Sequence, residues 1–195
     1  FMKYAKKTGI EPYVCINLGT GSLDEARNWV EYCNIEKGTY YSDLRRKNGS
    51  EQPYKVKYWG LGNELDGPWQ MGHKSPEDYA KLATEAAKMM RWIDKDIKLV
   101  ASGSSNYSAD WNTWNRTVLN QMVDYIDYIS LHHYAHNNSD YYSYMTSTIE
   151  VESYIKIVEQ QIKEAKLKAK TDKPLYIAFD EWNAWTRTFG SADNT

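Results

Sequence analysis

The chain has 195 residues and a formal net charge of −2, enough for one domain with a sizeable core and no electrostatic reason to bind nucleic acid or an anionic membrane. No apolar run approaches the roughly 18 residues of a membrane span. Mean hydropathy is low at −0.75, in part because 17 Tyr and 8 Trp supply buried area that hydropathy scales count as weakly polar. Such rings suit a core, and they equally suit the apolar faces of sugars.

Strand and helix signals alternate along the chain. The first apolar run, Pro12–Leu18, is followed by Ser22-Leu23-Asp24-Glu25, a capping box in which Ser hydroxyl and Glu carboxylate satisfy each other's backbone N–H groups. Leu23, Ala26, Val30 and Cys33 then repeat at helical spacing. The polar stretch Glu36–Gln52, with Gly38, Arg45, Arg46, Asn48 and Gly49, reads as a long loop or a short helix plus turn. A second run, Val56–Gly62, precedes Ser75-Pro76-Glu77-Asp78, an N-cap with Pro at the first helical position. Tyr79, Leu82, Ala83, Ala86, Met90 and Ile93 form the helix face behind it. The runs Ile97–Ser102, Ile126–His132 and Pro174–Asp180 complete the strands. A Trp111, Trp114, Val118, Met122, Tyr125 stripe lies between the first two, and Val151, Tyr154, Ile155, Val158, Ile162, Ala165 between the last two.

Near-continuously apolar strands separated by helices predict a parallel sheet covered by helices. A doubly wound open sheet and a (β/α)8 TIM barrel both fit. No G-x-G-x-x-G or Walker A sequence follows any strand, which removes the usual reason for the open sheet. A barrel ordinarily takes about 250 residues, so five strands here predict a partial one. The two cysteines, Cys15 and Cys33, do not make a disulfide framework. Read as reduced buried thiols, they mildly favour a cytoplasmic protein.

In such folds catalytic groups gather at the C-terminal ends of strands. Two strands end on glutamates: Trp59-Gly60-Leu61-Gly62-Asn63-Glu64 and Phe179-Asp180-Glu181-Trp182-Asn183. One Glu at a strand end is ordinarily a solvated loop residue. Two of them, one preceded by Asn and one followed by Trp-Asn, with Leu131-His132-His133-Tyr134 at a third strand end, point to glycoside hydrolysis. Asp180 competes with Glu181, but strand alternation sends adjacent residues to opposite faces, so only one can face the axis. The same alternation splits His132 from His133. With no His-x-x-x-His or Cys pairing to support a site, no metal is expected.

These residues carry a family resemblance. The segment from Trp59 to Lys74, WGLGNELDGPWQMGHK, resembles the acid/base signature of glycoside hydrolase family 51, and Asp180–Trp185, DEWNAW, resembles its nucleophile signature. Asn17-Leu18-Gly19-Thr20 and Glu31-Tyr32-Cys33-Asn34 are similar to the family's third-strand region, and Ser130–Tyr134 to its sixth. The resemblance covers nearly the whole chain. It implies that residues 1–195 are part of a (β/α)8 catalytic domain, strands three to seven. The first, second and eighth strands and a C-terminal β-sandwich would lie outside it.

The implied activity is that of a retaining α-L-arabinofuranosidase acting on arabinofuranosyl-containing oligo- or polysaccharides, without metal or organic cofactor, and homo-oligomeric in the full-length protein. Glu64 would be the acid/base and Glu181 the nucleophile. Asn63 would bond the sugar 2-hydroxyl, Tyr134 would hold the nucleophile carboxylate, Trp69 and Trp185 would wall the pocket, and His132 would join the substrate-binding groups. Ala135 stands where the family often has a second aromatic, a change expected to alter a subsite and not the chemistry. The charge on Glu181 is expected to keep the pKa of Glu64 high. The alternatives are another retaining hydrolase of the superfamily, an endoglucanase or xylanase, and an inactive carbohydrate-binding fragment.

Overall fold

The computed structural model describes residues 1–105, 110–136 and 140–185. All five predicted strands form: β1 (Tyr13–Ile16), β2 (Tyr58–Leu61), β3 (Lys98–Ala101), β4 (Tyr128–His136) and β5 (Tyr176–Trp185). They pair in parallel in sequence order, β1-β2-β3-β4-β5. Consecutive parallel strands with a helical connection after each are the unit of a TIM barrel, and the five make a half-barrel.

Seven helices stand among the described residues: α1 (Met2–Thr8), α2 (Leu23–Asn34), α3 (Tyr40–Lys47), α4 (Pro76–Ile93), α5 (Trp111–Met122), α6 (Tyr141–Thr146) and α7 (Thr148–Ala169). The capping box at Ser22 and Glu25 forms in both directions, and Ser75 accepts from the Asp78 N–H with Pro76 at the first position. The polar stretch before β2 holds α3, which carries a fully buried Arg45. Its guanidinium donates to five carbonyls, those of Tyr32, Ile35, Glu36, Ser50 and Glu51. A buried charge with every donor placed is the condition under which burial is tolerated.

Alternation sorts the strands into two faces. On the convex side Trp59, Leu61, Leu99, Ala101, Ile129 and Leu131 are fully buried against α2, α4, α5 and α7. Short side chains on α4 (Ala80, Ala83, Ala86 and Ala87, all buried) let that helix lie close to the sheet. On the concave side Tyr13, Tyr58, Val100, Tyr128, Ala178 and Asp180 line one cavity. Cys33 is buried, as expected, but Cys15 is exposed. It sits on this concave face beside Gly60, where an added Cβ would fall 2.6 Å from the Tyr13 hydroxyl.

Helix aromatics also fix the strand ends that carry chemistry. The buried Tyr79 hydroxyl donates to the Leu61 carbonyl at 2.8 Å and accepts from the Ser102 N–H at 2.6 Å. The Trp114 indole donates to the Ser102 carbonyl, and the Tyr154 hydroxyl to that of Ser104. Each ring buries its body in the core and spends its polar tip on a backbone group at the end of β2 or in the loop after β3, which ties these strand ends to the helices.

Candidate active site

Glu64 lies in the turn after β2. The chain leaves the strand through Gly62 at φ 85°, and Glu64 itself adopts φ 47°, a left-handed conformation uncommon for a residue with a Cβ. The side chain is only 11% exposed. The Trp69 indole donates to its Oε2 at 2.8 Å and His132 Nδ1 faces its Oε1 at 3.0 Å. Two residues on, Asp66 Oδ2 accepts from the Ser105 N–H and from the Ser104 and Ser105 hydroxyls. That carboxylate ties the turn to the loop after β3.

His132 and Tyr134 lie two apart on β4 and so share its concave face. The Tyr134 hydroxyl donates to Glu181 Oε1 at 2.6 Å. His132 is buried and stands within 3.7 Å of Glu181 Oε2 through the same Nδ1 that faces Glu64. Glu181 lies within β5 and its side chain is 38% exposed. One donor atom from each of Glu64, His132 and Glu181 falls within 4.8 Å of the others. Among the described residues, these three side chains form a group close enough to share a cation. The hydrogen bonds from Trp69 and Tyr134 and the imidazole between the two glutamates account for its closeness without an ion.

Two expectations are corrected. Alternation predicts that Asp180 and Glu181 face opposite ways, yet both reach His132: Asp180 Oδ1 is 3.3 Å from Nε2, and Glu181 Oε2 is 3.7 Å from Nδ1. The register explains it. Leu131 pairs with Phe179 but His132 pairs with Glu181, so Asp180 is an extra residue in a β-bulge, which breaks the two-residue period and re-aims a side chain. The second correction concerns charge. Burial alone would raise the Glu64 pKa, but hydrogen bonds from His132 and Trp69, the imidazolium charge and Gln70 outweigh it and hold Glu64 below the usual carboxylate value. Burial would likewise depress His132. Hydrogen bonds to Asp180 and Glu64, with the charges of Asp180 and Glu181, instead push it up to about 9. Both shifts favour imidazolium facing carboxylate along the contact between Nδ1 and Oε1.

Among the remaining expected site residues, Asn63 is exposed beside Glu64 and free to meet a ligand. Trp69 is half exposed, with its indole N–H spent on Glu64. Trp185 ends β5, but its side chain lies outside the described residues. Ser130 and Gln70 were not singled out from the sequence. Ser130 shares the concave face with His132 by its two-residue spacing, a signal available in the sequence.

A half-barrel of parallel strands with two facing carboxylates at its C-terminal rim is the arrangement used by glycoside hydrolases of the TIM-barrel class. Residues 1–152 match the family described as Alpha-L-arabinofuranosidase 1 domain. The chain is 45% identical over 187 residues to the intracellular exo-α-(1→5)-L-arabinofuranosidase 1 of Bacillus subtilis, covering 95% of the chain and 37% of that protein. It is 42% identical over 191 residues to the exo-α-(1→6)-L-arabinofuranosidase of Bifidobacterium longum, covering 94% and 37%. The structure of α-L-arabinofuranosidase from Thermotoga maritima in complex with arabinose superposes with a TM-score of 0.87 at 41% identity, covering 96% of this chain and 37% of that one. The family 51 enzyme AbfB from Bifidobacterium longum superposes with a TM-score of 0.90 at 34% identity, covering 95% and 38%. The chain belongs to the family 51 α-L-arabinofuranosidases, and it spans less than two-fifths of the length of these relatives.

Proposed function

We propose that the full-length protein is a retaining exo-α-L-arabinofuranosidase. It releases terminal non-reducing α-L-arabinofuranosyl residues from arabinose-containing oligo- or polysaccharides by double displacement. The observation that carries this reading is the approach of Glu64 and Glu181, with an oxygen of each inside 4.8 Å. Retaining glycosidases hold their carboxyl groups about 5–5.5 Å apart, and inverting ones about 6.5–9.5 Å, to admit a water. The names of the curated relatives support the sugar. Those names include both α-(1→5) and α-(1→6) linkages at similar identity, so the proposal is made at the level of the arabinofuranosyl group.

In the first step a Glu181 oxygen attacks the anomeric carbon and forms an ester while the bond to the leaving oxygen breaks. That oxygen takes its proton from Glu64. The proton is available because Glu64 and His132 share one along the 3.0 Å contact between Oε1 and Nδ1. In the second step Glu64 takes a proton from water, whose oxygen attacks the anomeric carbon and releases Glu181 as carboxylate. Tyr134, donating to Glu181, holds the nucleophile on line, and Asn63, exposed beside Glu64, would bond the 2-hydroxyl. No helix among the described residues is long and apolar enough to cross a membrane. The relatives' names support an intracellular site of action.

Hydrolysis of aryl α-L-arabinofuranoside by the full-length protein, compared with aryl β-glucoside and β-xyloside, tests the assignment. Arabinofuranoside should be preferred by at least about a hundredfold, a few kcal/mol of differential transition-state binding. Preference for either β-pyranoside would replace it with an endoglucanase or xylanase reading, and binding without turnover of any would make the protein a lectin-like homologue.

A further inference from the structure

Beneath the two glutamates lies a second layer of polar groups. Asp180 Oδ1 accepts from the Ser130 hydroxyl at 2.7 Å and lies 3.3 Å from His132 Nε2. Ser130 Oγ itself is 3.1 Å from Nε2. The Ser130 proton points at Asp180, so its oxygen faces the imidazole as an acceptor. Two acceptors at Nε2 require that nitrogen to carry a proton. From β1, Tyr13 lines the same concave cavity as Asp180, and burial followed by the Asp180 charge drives its pKa up. Cys15, also on β1, feels the Asp180 charge as well. The charged groups facing the imidazole are therefore Glu64 from the turn after β2 and Asp180 and Glu181 from β5.

We propose that Asp180 is a positioning residue of this site, which with Ser130 fixes His132 as its Nε2–H form so that Nδ1 stays aimed at Glu64. With Nε2 committed, Nδ1 is the atom that exchanges a proton with Glu64 Oε1. When Nδ1 holds it the pair is imidazolium and carboxylate; when Oε1 holds it the pair is neutral and Glu64 is ready to donate. An Asp beneath a histidine serves the same two ends, tautomer and charge, in hydrolases of other folds. The bulge at Asp180 is what makes this possible, because a regular strand would have turned one of the two acids away. The inference rests on the proposed glycosidase reading for its effect on rate, but not for its effect on His132.

The test is Asp180→Asn in the full-length protein. Its readouts are the pH profile of kcat/KM on an arabinofuranoside with a poor leaving group and the 15N resonances of the His132 ring. Removing an opposite charge at this distance should move the alkaline limb and the His132 titration down together, by about one unit or more. The rate above the new limb should fall about tenfold. Ser130→Ala leaves the charge but removes one acceptor. It should raise the share of the Nδ1–H form once the ring is neutral, and it covers the case in which Asp180→Asn does not fold. Loss of rate with an unmoved limb and unmoved ring resonances in Asp180→Asn would make Asp180 merely structural and overturn the proposal, as would an unchanged tautomer in Ser130→Ala. A protein that cleaves no arabinofuranoside but shows the His132 shifts would leave this inference standing and remove the proposed function.

Discussion

The two glutamates occupy unlike surroundings. Glu64 sits in a turn, 11% exposed at the side chain, in a left-handed conformation, with an indole on one oxygen and an imidazole on the other. Glu181 sits on a strand, 38% exposed, with the Tyr134 phenol donating to one oxygen and His132 Nδ1 3.7 Å from the other. The difference matches the work each group would do. An acid/base must gain and lose a proton on cue, so its neighbours include a group that can hold that proton. A nucleophile must stay ionised and reach the substrate, so it needs a side chain that is held in place yet open enough to meet it.

The widest separation between the two should come from truncating each in the full-length protein. Glu181→Ala is expected to lower turnover by about four orders of magnitude or more, since no covalent intermediate can form. Azide should restore part of the rate, entering the vacated space from the nucleophile's side and giving product of inverted configuration. Ordinary activity in that variant would reverse the assignment. Glu64→Ala should depend on the leaving group: about 10²–10⁴-fold on poor ones, the range of general-acid assistance, and far less on activated aryl glycosides that need no proton. Equal losses on both would mean that Glu64 does not donate.

The contrast between the two sites was only partly legible in the sequence. Five strands, the caps at Ser22 and Ser75 and the helix faces follow from periodicity and local hydrogen-bonding chemistry, and they formed as expected. Glu64 stood out because a glycine-rich turn and a long signature surround it. Strand alternation set aside Asp180, which lies against His132, because a bulge appears only in the pairing of two strands 50 residues apart, where His132 skips to Glu181. Charge balance was hidden for a related reason. The expectation of a raised Glu64 pKa considered Glu181 and not His132, whose Nδ1 lies between the two acids only once β2, β4 and β5 are assembled. Arg45 is a third case: nothing local in a polar stretch marks one arginine as the hub of five carbonyls.

The smallest expected effect concerns backbone alone. Glu64 holds φ 47°, and a residue with a Cβ in the left-handed region is strained by about 1–2 kcal/mol, a cost glycine does not bear. Both Glu64→Ala and Glu64→Gly lose the carboxylate and its bonds to Trp69 and His132, so those losses cancel when the two variants are compared with each other. What remains is the strain, offset in part by the greater freedom of glycine in the unfolded chain, about 0.4–1 kcal/mol. The Gly variant of the full-length protein should therefore be more stable than the Ala variant by up to about 1 kcal/mol in urea unfolding, although both lose general-acid assistance to poor leaving groups. An Ala variant as stable as the Gly variant or more so would show that the turn is relaxed at this residue. The strained conformation would then not be part of how the acid is aimed at His132 and the nucleophile.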